Sequence, residues 1–88
     1  MRAIIIMSDS AEQTPRMLSH DYELQAVPRD GDDFMIELQE VGDTLDCVVR
    51  RTDWVANFFG EIIPEVNIRP LRELSSEALA RLREIGWR

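Results

Sequence analysis

Three sets of residues in this chain have the types that reactive chemistry needs: the His20-Asp21 pair, the single Cys47, and Asp30, Asp32 and Asp33 around Gly31. Histidine titrates near neutrality, and a carboxylate can orient it as a general base. Neighbours on a strand point to opposite faces, however, and with one histidine and one cysteine in 88 residues the chain offers few partners for a triad. His20 reads as a solvated loop residue. Cys47 alternates with Leu45 and Val49 on the inward side of a strand and reads as a small core residue rather than a nucleophile. The aspartates suit a hard cation, but counting from Asp30 the twelfth position, where a calcium loop needs a bidentate glutamate, is Val41. A tight turn with Gly31 at positive φ is the better reading.

The opening Ile4-Ile5-Ile6-Met7-Ser8-Asp9-Ser10 places an aspartate after an apolar strand, as metal-dependent phosphoesterases do. The likeness stops there, because those enzymes follow the aspartate with a histidine where Ala11 stands and need further histidines than His20. The four glycines are scattered and form no phosphate loop. All ten basic residues are arginine, so Schiff-base chemistry and a Walker lysine are excluded. The expectation is a non-enzymatic protein with no cofactor and no metal.

The chain length allows one hydrophobic core, a single α+β domain over residues 1–88. Ala3 to Met7 is a buried strand, and Ser8 to Pro15 reads as a loop with at most one helical turn. Tyr22 to Val27 alternates as a half-buried strand that Pro28 ends, and the Asp30-Gly31 turn leads into Phe34, Ile36 and Leu38 facing the core. Gly42-Asp43 is the next turn, before Leu45, Cys47 and Val49 inward and Thr44, Asp46, Val48 and Arg50 outward. These three runs predict a meander. Thr52 or Asp53 can cap a short helix that Gly60 closes, and Pro64 and Pro70 bracket an extended or edge segment, Glu65 to Arg69. A last helix starts at the N-cap Ser75, carries the stripe Ala78, Leu79, Leu82 and Ile85, and ends at Gly86, which returns Trp87 onto Leu82. The fold class expected is therefore a small antiparallel sheet, three-stranded meander plus N-terminal strand, with one short and one C-terminal helix on one face.

Charge then selects among partners. Residues 1–46 carry −8 and residues 47–88 carry +1, giving the net −7. Such an excess of carboxylates repels nucleic acid and anionic membranes, so direct nucleic-acid binding is disfavoured. The longest apolar run is too short for a signal-peptide core or a membrane span, and the lone cysteine cannot form an internal disulfide, so a cytoplasmic protein is expected. What remains are binding surfaces: Glu23, Glu37 and Asp46 outward on the meander, and Trp54, Phe58 and Trp87 as aromatic anchors. Trp54, Phe58 and Phe59 cannot all face one way on a two-turn helix, so at least one is exposed or at an interface. Trp87 is either the helix-cap contact or a terminal anchor. Arg50, Arg51, Arg69, Arg72, Arg81 and Arg83 could form an opposing basic face. The leading expectation is an acidic accessory or inhibitory protein that occludes a larger protein partner, of the kind a phage or plasmid directs at a nucleic-acid-handling complex. The alternative is an assembly subunit forming a homo-oligomer.

Overall fold

The structure, a computed structural model, describes residues 1–9, 16–38 and 43–88. Among the described residues five strands and one helix follow in order: β1 Arg2–Asp9, β2 Arg16–Glu23, β3 Asp33–Glu37, β4 Thr44–Ala56, β5 Ile62–Pro70 and α1 Ser76–Glu84. They build one mixed sheet in the order β2-β1-β5-β4-β3, so the fold is α+β and dominated by its sheet. β1 and β2 form an antiparallel hairpin, β3, β4 and β5 an antiparallel meander, and β5 joins the two by lying parallel to β1 from Ile4↔Glu65 to Met7↔Ile68.

One sheet face packs against α1. Ala3, Ile5 and Met7 of β1, Leu18 of β2, Cys47 and Val49 of β4, and Val66 and Ile68 of β5 are buried in one cluster with Leu74, Leu79, Leu82 and Trp87. The helix that closes this core is set by its ends. Ser75 Oγ accepts from Ala78 N at 3.1 Å, satisfying a first-turn amide. At the other end Trp87 N donates to Leu82 O and Gly86 N to Arg83 O, with Gly86 at φ +108°. That is a Schellman cap, and it carries Trp87 back into the core, where its Nε1 donates to Tyr22 Oη at 3.1 Å.

Several elements differ from the sequence expectation, each for a physical reason. The second strand lies earlier than Tyr22–Val27, because β1 is its partner and is exhausted at Leu24, whose N–H meets Met1 O. The Asp30-Gly31 turn joins no paired strands, since β2 and β3 sit at opposite edges of the sheet. Instead Gly31 N donates to Val49 O and Val49 N to Asp32 O, which docks the turn on β4. The short helix over Thr52 to Gly60 is absent: β4 runs through Trp54 and Val55 and pairs with β5 from Arg51↔Asn67 to Ala56↔Ile62. A two-turn helix forfeits its nucleation cost over few bonds, whereas aromatic and β-branched residues gain cross-strand partners. The meander is thus β3-β4-β5, and one helix, not two, covers the face. Glu65–Arg69 is extended as expected but central, not at an edge. Its prolines fit because Pro64 and Pro70 flank the four-residue ladder to β1, where β5 must donate on both sides. The turn expected within Ser8–Pro15 lies, beyond Asp9, outside the described residues, as does Gly42.

Candidate functional site

The β4–β5 hairpin ends in the most exposed large apolar side chains among the described residues. Phe58 is 97% and Phe59 83% exposed, flanked by Ile62 at 69% and Trp54 at 57%. Side chains of this size burying almost nothing gain nothing for the fold, since a buried phenylalanine contributes about 1.5–3 kcal/mol.

The tip that presents them is built by one residue. Asn57 Oδ1 accepts from Phe59 N at 3.0 Å and Glu61 N at 2.9 Å, its N–H donates to Glu61 O at 2.8 Å, and its carbonyl accepts from Gly60 N at 3.0 Å. Gly60, at φ +82° with open space around it, supplies the backbone reversal that an L side chain resists. The two rings meet edge to face with centroids 5.8 Å apart. Ordering the tip in advance lowers the entropic cost of docking it. Its charge is one-sided: from Thr52 to Ile68 the chain carries Asp53, Glu61 and Glu65 and no arginine.

The other expected site residues scatter. Glu37 and Asp46 are exposed on neighbouring strands β3 and β4, but Glu23 ends β2 at the far edge of the sheet, held by the Met1 ammonium at 2.6 Å. Four strand spacings separate the edges, roughly 19 Å, so the three carboxylates do not form one compact array. Trp87 is fully buried, which withdraws it from any contact with a partner and leaves its cap role. Trp54 and Phe58 share the hairpin tip, though on a strand and its turn instead of a helix.

The reactive candidates are occupied structurally. His20 sits half-buried on β2 rather than in a loop, stacked on Tyr22 with centroids 4.6 Å apart, its Nε2 3.2 Å from Ile85 O and its Nδ1 2.6 Å from Asp21 O. It braces the C-terminal end of α1, and the Asp21 side chain turns away to Arg2 at 2.9 Å. Cys47 is buried; burial, with the Asp46 carboxylate adding to it, pushes its thiol up to about 12, so little thiolate exists near neutrality. Asp32 closes its own turn by accepting from Arg29 N at 2.8 Å. Among the described residues no three His, Cys, Asp or Glu side chains gather as around a metal ion, and no helix is long and apolar enough to cross a membrane.

Sequence reasoning weighed Phe59 without selecting it, and missed Asn57 and Ile62. The signal was present in Asn57-Phe58-Phe59-Gly60, an asparagine and a glycine spaced as in a hairpin loop between β-branched runs. Comparison with known protein families, curated proteins and solved structures finds no match.

Proposed function

We propose that the protein is a non-enzymatic interaction module that seats the β4–β5 hairpin tip in an apolar cleft of a larger protein. The observation that supports this reading is the ordered turn holding Phe58 and Phe59 almost wholly in solvent. Large aromatics on a rigid support are the residues that dominate binding energy at interfaces.

Charge favours a protein partner with a basic rim. Glu61 lies in the turn, Glu65 follows it on β5, and no arginine falls between Thr52 and Ile68, so an anionic bilayer repels the tip and a cationic rim attracts it. Two copies meeting tip to tip would bring their Glu61 carboxylates together, which disfavours symmetric self-association through this element. An accessory or inhibitory role follows when the cleft is one the partner itself uses. In this reading Glu37 and Asp46 contribute steering at most, and Glu23 lies too far from them to join one interface patch.

The test compares wild type with Phe58→Ser/Phe59→Ser. Light scattering after size exclusion, and affinity capture from the native cell extract at low and high salt, are read together. The double variant is expected to keep the native melting temperature within a few degrees, since so little of either ring is buried, and to lose a captured protein that survives high salt with wild type. Equal capture by both proteins, or a wild-type oligomer that the double substitution dissociates, would overturn the reading.

A further inference from the structure

The sheet face away from α1 carries a second feature, roughly 20 Å back along β4 from the tip. Val49 pairs with Ile68 and Arg51 with Asn67, so Arg50 is the extra residue of a β-bulge. Bulges re-aim side chains and recur beside functional sites. This one gathers Arg50 and Arg51 with Arg69 of β5 around a groove of about 320 Å³ that Ser8, Asn67 and Ile68 also line.

Three arginines line that groove in a protein of net charge −7. Arg51 is bridged to Asp53 at 3.2 Å, an exposed pair of the kind that exchanges readily. Arg50 and Arg69 have no ion-pair partner among the described residues. Among the described residues the groove therefore holds two positive charges without an ion-pair partner. Asn67 turns its amide nitrogen to Arg51 O, Asp53 Oδ2 and Glu65 O at 3.4–3.5 Å, which steadies the strands beside the bulge. The side chains lining the groove that can donate to a ligand are the arginines and Ser8.

We propose that this groove binds a compact phosphorylated ligand, of about nucleotide size. A terminal phosphate carries close to two negative charges and three acceptor oxygens, matching the charges of Arg50 and Arg69, and guanidinium groups clamp such oxygens in pairs. The volume lies at the small end of ligand sites. Compactness follows from what surrounds the groove. Asp46, Asp53 and Glu65 share this sheet face, and beyond a Debye length of about 8 Å an extended polyanion meets this acidic surface instead of the arginines. The inference stands apart from the hairpin tip, so either can fail alone.

The test titrates pyrophosphate, ATP and a single-stranded oligonucleotide into isotope-labelled protein at low and physiological salt, following amide signals by NMR. Four proteins are compared: wild type, Arg50→Gln/Arg69→Gln, the distant exposed pair Arg83→Gln/Arg88→Gln at the end of α1, and Asp53→Asn, each checked for native circular dichroism. ATP and pyrophosphate are expected to shift Ser8, Arg50, Arg51 and Asn67 to Arg69 with saturation. The groove variant should weaken binding about tenfold or more, as loss of charge-assisted hydrogen bonds does. The distant pair should stay within about twofold, and Asp53→Asn should tighten binding by freeing Arg51. Equal weakening by both arginine pairs, shifts centred elsewhere, or no saturation would overturn the proposal. So would an oligonucleotide that outcompetes ATP per phosphate, which would assign the groove to nucleic acid.

Discussion

Replacing Gly86 by alanine tests the packing of the helix end against the sheet. Gly86 sits at φ +108°, and a Cβ built there lies 2.7 Å from His20 Nε2 and 3.1 Å from His20 Cδ2. Two costs follow. The backbone conformation charges an L residue about 1–2 kcal/mol. The methyl group also expels His20 from its contact with Ile85 O and from its stack on Tyr22, which are together worth about 1–2 kcal/mol. Alanine returns a few tenths to 1 kcal/mol by restricting the unfolded chain, leaving a net loss of about 1–3 kcal/mol. For a domain of this size that lowers Tm by roughly 5–20 °C. The assay is urea and thermal unfolding of wild type, Gly86→Ala, His20→Ala and the double variant. In the His20→Ala background Gly86→Ala should retain only the backbone cost, giving a coupling of about 1 kcal/mol. A cost below about 0.5 kcal/mol for Gly86→Ala, or strict additivity with His20→Ala, would refute the reasoning.

Three further outcomes are expected. Trp87→Ala removes the largest buried side chain and the donor to Tyr22, and should cost about 3–5 kcal/mol in urea unfolding; Trp87→Phe should be milder and leave partner capture intact. Thr52 Oγ1 is buried with no hydrogen-bond partner among the described residues, so Thr52→Val should raise stability by about 1 kcal/mol, measured by the urea midpoint. The Cys47 thiol is raised in the folded state, so its stabilising contribution is complete below pH 9 and is lost as pH climbs from 9 toward about 12. Cys47→Ala should unfold more readily at neutral pH yet show a shallower alkaline loss, and a thiol reagent should label native protein far more slowly than urea-unfolded protein.

Locally signed elements were legible in the sequence. The Ser75 cap, the Leu79 and Leu82 stripe and the Gly86-Trp87 close of α1 need only residues within one or two turns, and all stand as read. So do the inward Cys47 and Val49. What failed was non-local. No property of Tyr22 or Phe34 states that their strands lie at opposite edges, because that depends on β5 pairing in parallel with β1 across some sixty residues. The helix expected at Thr52 to Gly60 shows the same limit: a cap residue and a glycine punctuate a helix and a hairpin alike, and the partner strand decided between them. The aromatic cluster was visible as Trp54, Phe58 and Phe59, but its exposure emerged only once Asn57 and Gly60 had turned the chain. The acidic trio dissolved for the opposite reason, since its unity rested on a meander that does not include β2.

If the hairpin tip is what a partner grips, a crosslinker at the tip captures that partner. A photo-crosslinking residue placed at Phe58, and separately at Glu23 and Asp46, can be activated in the native cell extract, with unlabelled wild-type protein and unlabelled Phe58→Ser/Phe59→Ser as competitors. One discrete adduct with a larger protein is expected from position 58, suppressed by wild-type competitor and untouched by the double variant, with no equal adduct from position 23. No specific adduct from position 58, an adduct with a second copy of the chain, or suppression by both competitors alike would contradict it.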